Sequence, residues 1–125
     1  MKIKGIIWLG TQTTNFSNTK DFFQNILGLP LESNNPNIVT FEMPNGDKFE
    51  VFNAQSDSDM FMSHPVAGFL VDDIVTARAE MEKMGVEFLG PIQGETDEYK
   101  WSEFRAPDGF VYELTYYPGH PLNRK

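Results

Sequence analysis

The stretch that decides the fold is Phe41–Val51, FEMPNGDKFEV, which returns as Phe104–Leu114, FRAPDGFVYEL. The two copies share the pattern F-x-x-P-[ND]-G-x-x-[FY]-E-[VL] at an offset of 63 residues. In each copy, proline restricts one φ angle and glycine supplies the left-handed residue of a tight turn between two strands. A glycine that ends a helical segment, Gly28 or Gly85, precedes each copy. The chain is therefore predicted to contain two homologous halves.

Each half is predicted to run strand, helix and then three strands, a βαβββ unit. The first strand of each half is expected at Ile3–Gly10 and at Val66–Val71, where apolar residues precede a capping segment. The acidic stretch Gln93–Tyr99 is predicted to be a loop. Helical spacing predicts two apolar helix faces: Phe22, Phe23, Ile26 and Leu27 in the first half, and Ile74, Ala77, Met81 and Met84 in the second.

Composition excludes several classes of function. The chain has 125 residues, with 10 basic and 18 acidic side chains and a net charge of −8, so we expect no nucleic-acid partner. No apolar run reaches the roughly 20 residues of a membrane helix, and no signal peptide is recognisable, so we expect a cytoplasmic protein without a membrane partner. The chain contains 0 cysteines, which excludes disulfides and thiolate chemistry.

Four segments together resemble the vicinal oxygen chelate (VOC) superfamily, which includes glyoxalases, bleomycin-resistance proteins and extradiol dioxygenases. They are Phe22–Leu29 (FFQNILGL), Val71–Ile74 (VDDI), Gly85–Pro91 (GVEFLGP) and Phe104–Leu114 (FRAPDGFVYEL). The resemblance implies an α+β fold, in which two βαβββ modules form an incomplete barrel around a cavity. It also implies a homodimer, with or without exchange of halves between subunits.

The resemblance and the repeat together predict a single VOC domain over residues 1–125. Module 1 spans residues 1–53, a polar linker spans 54–63, module 2 spans 64–118, and a tail spans 119–125. His120 lies in this tail, and we expect its side chain to be exposed to solvent.

Metal-dependent members of the superfamily take ligands from the first and last strand of each half, usually histidine and then glutamate. At the positions that match, this sequence has Trp8 and Glu50 in the first half and Val66 and Glu113 in the second. Because both imidazole positions are apolar, we expect no metal and no cofactor. His64, two residues before Val66, is either a substitute ligand or a histidine at the end of a loop. Glu50 and Glu113 are the candidate catalytic residues.

Strand alternation places a second set of candidates on the face that carries the two glutamates. A three-residue turn pairs Glu103 with Glu113, and two like charges in register need a partner. The partner is either Arg105 in a salt bridge with Glu113, a proton on one carboxyl, or the cation of a ligand. The candidate ligand-binding residues are Trp8, Phe52, His64, Val66, Tyr99, Trp101, Glu103 and Arg105.

Three functions are compatible with this pattern. The first is a metal-free binding protein that holds a small aromatic or cationic molecule, with Trp8 as either a stacking surface or a core residue. The second is a divalent-metal-dependent enzyme of the glyoxalase, lyase or dioxygenase type that uses Glu50 and Glu113. The third is a metal-free enzyme in which Glu113 acts as a general base.

Overall fold

The computed structural model describes residues 1–54 and 64–123, so the predicted linker, apart from Ala54, lies outside the described residues. Two βαβββ repeats follow each other along the chain, which confirms the predicted α+β class and element order. Within the described ranges the strands are β1 (Gly5–Thr13), β2 (Leu31–Asn34), β3 (Ile38–Glu42), β4 (Lys48–Asn53), β5 (Val66–Leu70), β6 (Gln93–Thr96), β7 (Tyr99–Arg105) and β8 (Val111–Tyr116). The helices are α1 (Phe16–Asp21), which continues as a π-helical turn (Phe22–Ile26), α2 (Ile74–Lys83), and a final 3-10 turn (Pro121–Asn123).

The chain forms two compact units whose boundary falls within β1 and within β5. The first unit comprises Trp8–Val66, and its strands are ordered β2-β3-β4-β1. The second unit comprises Met1–Ile7 and Ala67–Lys125. Its strands are ordered β1-β5-β8-β7-β6 in the sheet, and only the first residues of β1 belong to it. The amide of Lys4 donates to the carbonyl of Leu70 at 3.0 Å, which is why the N-terminal residues belong to the second unit.

The two hairpins have the predicted register. Thr40 pairs with Glu50 across β3 and β4, and Glu103 pairs with Glu113 across β7 and β8. Gly46 and Gly109 have φ angles of 91° and 88°, as the tight turns require. On the other face of each hairpin two rings stack with centroids 6.2 Å apart in both units: Phe41 on Phe49, and Phe104 on Tyr112.

These ring pairs define the helix face of each unit, because the helix packs on that side. In the first unit Phe23 and Phe16 pack against the buried Val39, Phe41 and Val51. In the second unit the buried Ile74 and Ala77 of α2 lie in one cluster with Leu114, and Phe104 packs against it. The opposite face of the strands carries Thr40, Glu50 and Phe52 in the first unit and Trp101, Glu103, Glu113 and Thr115 in the second.

The predicted apolar face of the first helix is wrong at three of its four positions. Phe23 packs into the core, whereas Phe22, Ile26 and Leu27 are exposed large side chains. The cause is the π-helical turn, in which the Leu27 amide donates to the Phe22 carbonyl across five residues at 3.0 Å. The wider turn rotates the following side chains away from the face that regular α-helical spacing predicts.

The second helix follows its predicted pattern more closely. Asp73 caps it by accepting from the Thr76 amide at 3.0 Å, and this bond, with that of the Thr76 hydroxyl, lowers the pKa of Asp73 below its ordinary 3.8. Ile74 and Ala77 are buried, as predicted. Met84 is 77% exposed, so its place in the predicted stripe is wrong, because the helix ends at Lys83 just before it.

The predicted loop at Gln93–Tyr99 is wrong for most of its length. Gln93 pairs with Trp101 and Thr96 pairs with Tyr99, so Gln93–Thr96 forms the edge strand β6. Polar composition suggested a loop, but an edge strand that is exposed throughout tolerates polar side chains. Among the described helices, none has the length and apolar character needed to cross a bilayer.

Candidate functional site

A glycine lies beside each of the two repeat glutamates in the parallel strand pairs. Gly10 of β1 is in register with Glu50 of β4, and Gly68 of β5 is in register with Glu113 of β8. Trp8 and Val66 each precede that glycine by two residues. Because side chains on a strand alternate, Trp8 shares a face with Glu50, and Val66 occupies the equivalent place in its repeat. This matched register supports the residue equivalences that the family resemblance implied.

In the first unit the Glu50 carboxylate is held by two short hydrogen bonds. Nε1 of Trp8 donates to Oε1 at 2.8 Å, and the Thr40 hydroxyl donates to Oε2 at 2.6 Å. Donor bonds to a carboxylate are among the stronger hydrogen bonds in proteins. Thr40 was not a predicted site residue; the signal that could have found it is its position directly across the hairpin from Glu50.

The indole of Trp8 is packed as a core side chain on the same face. It is 6% exposed, lies in a cluster with the buried Val66, and its ring centroid is 6.4 Å from that of Phe52. Of the two roles considered for Trp8, packing is the one this geometry favours, and the bond to Glu50 adds a polar role that neither alternative included. Trp8, Glu50, Phe52 and Val66 are therefore predicted site residues that the fold does bring together.

In the second unit two buried carboxyl groups lie side by side. Glu103 and Glu113 are each 5% exposed and face each other in register across β7 and β8. Nε2 of the Gln93 side chain donates to Glu103 at 3.4 Å, and the Thr115 hydroxyl donates to Glu113 at 3.4 Å. Two like charges opposed in this way destabilise a strand pair unless other groups compensate.

Half-buried aromatic rings lie along the strand that carries Glu103. Trp101 is on the same face, two residues earlier, and its ring centroid is 6.2 Å from that of Tyr99. The Tyr99 centroid is in turn 5.3 Å from that of Tyr117, just beyond the end of β8. Sequence reasoning missed Tyr117, although its position after the Glu113 strand was the available signal. Rings and carboxylates together form a surface suited to a positively charged aromatic molecule.

The predicted salt bridge between Arg105 and Glu113 is wrong. Arg105 is exposed, and its Nη1 donates to the Gly109 carbonyl at 2.8 Å, at the hairpin turn. The reason is distance along the strand, because Arg105 pairs with Val111, next to the turn, and not with Glu113. The Arg105 guanidinium therefore bonds to the nearby carbonyl of Gly109.

The two histidines lie in opposite environments. His64 is exposed, just before β5 begins at Val66. His120 is 1% exposed, which makes the expectation of a solvent-exposed tail residue wrong. Its ring is 5.7 Å from that of Tyr117, and its Nδ1 accepts from the Leu122 amide at 3.1 Å. The C-terminal turn thus buries the His120 imidazole, which the polar composition of the surrounding sequence predicted to be exposed to solvent.

The residues present fit poorly with the metal that the resemblance implies. The indole nitrogen of Trp8 is a donor without an available lone pair, and Val66 has no ligand atom. Each oxygen of Glu50 accepts one hydrogen bond from a protein group and keeps a second lone pair, so the poor fit rests on Trp8 and Val66. Within residues 1–54 and 64–123, no group of three or more His, Asp or Glu side chains is placed to hold a metal ion.

Comparison with solved structures shows the same fold in proteins of low sequence identity. Methylmalonyl-CoA epimerase from Mycobacterium tuberculosis matches with a TM-score of 0.73 at 14% identity, over 92% of this chain and 89% of that chain. The Mn(II)-bound glyoxalase from Novosphingobium aromaticivorans matches with a TM-score of 0.72 at 16% identity, over 92% of this chain and 39% of that longer chain. A glyoxalase/bleomycin resistance protein/dioxygenase superfamily member from Vibrio splendidus 12B01 matches with a TM-score of 0.66 at 13% identity, over 86% and 95%.

None of the curated proteins matches the chain. The sequence profile of one family does match, and it covers residues 5–114, which include both repeats. The chain belongs to the Glyoxalase/Bleomycin resistance protein/Dioxygenase superfamily.

Proposed function

We propose that the protein is a metal-independent binding protein that takes up a small aromatic cation. The surface we assign to this ligand is the face of the second unit opposite its helix, formed by Trp101, Glu103, Glu113 and Thr115, with Tyr99 beside it. The observation that carries the proposal is the in-register pair of buried carboxyl groups next to half-buried rings.

Two physical effects favour such a ligand. A cation close to Glu103 and Glu113 would gain a favourable charge interaction with two carboxyl groups that are 5% exposed. A planar cation would also be attracted to the faces of Trp101 and Tyr99, an interaction of about 0.5–2 kcal/mol per ring. The net charge of −8 adds a general attraction for cations.

The first unit supports metal independence. A first-row metal site would need a ligand with a lone pair at the Trp8 position. Instead the indole there donates to Oε1 of Glu50 at 2.8 Å, and the Thr40 hydroxyl donates to Oε2 at 2.6 Å. Glu50 is thus used as an acceptor within the protein.

The test uses N-methylquinolinium and quinoline, which share a ring system but differ in charge at neutral pH. Calorimetric titration with a chelator present should show binding of the cation, and affinity should fall about ten-fold in Glu113→Gln and in Glu103→Gln. Glu98→Gln, the same change at an exposed turn residue of this unit, is the matched control and should bind as the parent does. Equal binding of the two probes, no binding of either, or unchanged affinity in both glutamine variants would overturn the proposal.

A divalent-metal-dependent reaction is the second candidate. The observation in its favour is that Glu50 and Glu113 occupy the same register position in the two repeats, each beside a glycine. Titration of the purified protein with Mn²⁺, Fe²⁺, Ni²⁺ and Zn²⁺ decides between the candidates. Saturable stoichiometric binding that is lost in Glu50→Gln and in Glu113→Gln would favour the enzyme, which would then be assayed on thiol adducts of 2-oxoaldehydes and on catechols.

A further inference from the structure

The second unit contains an apolar cavity, broadly open to solvent, on its helix face, the side opposite to the carboxyl pair. Its volume is about 620 Å³, within the range of roughly 300–1,000 Å³ that is typical of small-molecule sites. The walls come from β5, β7, β8, the hairpin turn, α2 and the N-terminal residues. They include Ile3, Phe69, Met81, Phe104, Tyr112 and Leu114.

The first unit shows why this cavity is open. In that unit the amide of Leu29, which follows Gly28, donates to the Phe23 carbonyl at 3.0 Å. In the second unit the amide of Val86, which follows Gly85, donates to the Met81 carbonyl at 3.1 Å. Phe23 and Met81 are therefore equivalent residues, one on each helix. The Phe23 ring lies edge-on to Phe49, with centroids 4.7 Å apart, and covers the stacked ring pair. Met81 is unbranched and has no ring with which to cover Tyr112 in the same way.

Two charged groups belong to the lining of this largely apolar space. The N-terminal ammonium of Met1 is paired with Glu80 at 2.8 Å, and a carboxylate lies at the hairpin turn. Asp108, an exposed residue of the hairpin turn, accepts from the Tyr112 hydroxyl at 2.5 Å and from the Phe110 amide at 2.9 Å. The Tyr112 hydroxyl and then the Phe110 amide lower the pKa of Asp108 below its ordinary 3.8, so the group is negatively charged at neutral pH. The matching residue of the first repeat is Asn45, which has no charge.

We infer that this cavity is a second ligand site, for an apolar molecule that ends in an ammonium group. The apolar part would lie among Phe69, Phe104 and Met81, and the ammonium group would lie at the Asp108 carboxylate. The volume and the apolar walls suit the apolar part of such a molecule. Because Glu80 already pairs with the Met1 ammonium, the Asp108 carboxylate favours a cationic end over a neutral or anionic one. The site is independent of the proposed function, because it shares none of the residues assigned to the aromatic cation.

The experiment compares 4-phenylbutylammonium with 4-phenylbutyrate, which have the same carbon skeleton and opposite charges. Titration followed by amide chemical shifts should show saturable binding of the ammonium compound, with the largest changes at Ala106–Phe110 and Met81. Phenylbutyrate should bind at least about three-fold more weakly. Met81→Phe, which copies the first unit's Phe23 and fills the space, should reduce the affinity for the ammonium compound about ten-fold.

A second variant keeps the inference testable if Met81→Phe does not fold. Asp108→Asn should lower affinity for the ammonium compound about three-fold, whereas Asp97→Asn, the same change at a side chain that is 97% exposed, should not. Shifts confined to Trp101, Glu103 and Glu113, on the opposite face, would overturn the inference. Equal affinity for both compounds would also overturn it. A concentration-dependent dimer that Met81→Phe dissociates would show that a second copy of the chain occupies the cavity, and would also overturn it.

Discussion

The two units contain the same type of hairpin and nearly the same sequence motif, but side chains cover the helix faces of their strands to different degrees. In the first, Phe41 is 0% exposed and its stacked partner Phe49 is covered by Phe23. In the second, Phe104 and Tyr112 stack at the same 6.2 Å separation but border a cavity of about 620 Å³. The repeat therefore determines the strand geometry in both units, whereas the helix residue that faces the ring pair differs, a phenylalanine in the first unit and a methionine in the second.

The opposite faces differ as well. The first unit satisfies its glutamate with protein donors, Trp8 and Thr40. The second unit places Glu113 across from another glutamate and beside aromatic rings. One ancestral position has thus become a structural acceptor in one repeat and a candidate ligand contact in the other.

The largest expected difference between the units is in the cost of truncating the matched phenylalanines. Phe41→Ala removes a fully buried ring and should lower the free energy of unfolding by about 3–5 kcal/mol. Phe104→Ala removes a half-buried ring at the cavity edge and should cost about 1–2 kcal/mol. Urea unfolding of both variants measures this difference. Equal losses would mean that the two helix faces are closed to the same degree.

A smaller effect is expected at Trp8. Trp8→Phe keeps an aromatic ring but removes the donor to Glu50, and should lower the free energy of unfolding by about 2 kcal/mol. The control is Trp101→Phe, because that indole is half-buried and bonds to no carboxylate among the described residues.

A double-mutant cycle with Glu50→Gln isolates the hydrogen bond from the change in packing. A coupling energy near zero, or equal losses in the two tryptophan variants, would show that Trp8 acts through packing alone.

The smallest expected effect is on the free energy of unfolding at low pH, and it again differs between the two repeats. The Tyr112 hydroxyl, followed by the Phe110 amide, holds the pKa of Asp108 below 3.8 in the folded state. Its contribution to stability is thus complete above pH 3.8 and is lost as the pH falls through the lowered folded-state pKa. Asp108→Asn should make the acid limb of the stability curve shallower, as measured by urea unfolding at a series of pH values.

The same bond raises the pKa of Tyr112 above its ordinary 10.0, with Asp108 as the first cause. Phenolate absorbance should therefore show Tyr112 ionising at lower pH in Asp108→Asn, with Tyr112→Phe used to assign the signal. Asn45→Ala, at the uncharged counterpart, should leave the Tyr112 titration as it is. A parallel change in the Asn45 variant would contradict the assignment to Asp108.

The fold was predictable because its decisive features are local in sequence. A P-[ND]-G turn sets the register of its hairpin, and a period of two then places Glu50 opposite the helix face in the first unit and Glu103 and Glu113 opposite the helix face in the second. The errors arose where regular periodicity did not hold. A π-helical turn rotated Ile26 and Leu27 into solvent, and an exposed edge strand formed in a stretch whose composition suggested a loop.

The sequence by itself determined the repeat, the family, the strand register and the apolar residues at the two imidazole positions, because turn chemistry and alternation act over a few residues. Only the tertiary structure decided that Trp8 bonds to Glu50 across 42 positions of sequence, that Arg105 bonds to a turn carbonyl, and that His120 is buried. It also decided that the second unit has a cavity where the first has a phenylalanine ring. The bond between Trp8 and Glu50 and the cavity depend on distances between segments far apart in the chain, which packing sets. The Arg105 bond and the burial of His120 depend on the geometry of turns, which the composition of those segments does not specify.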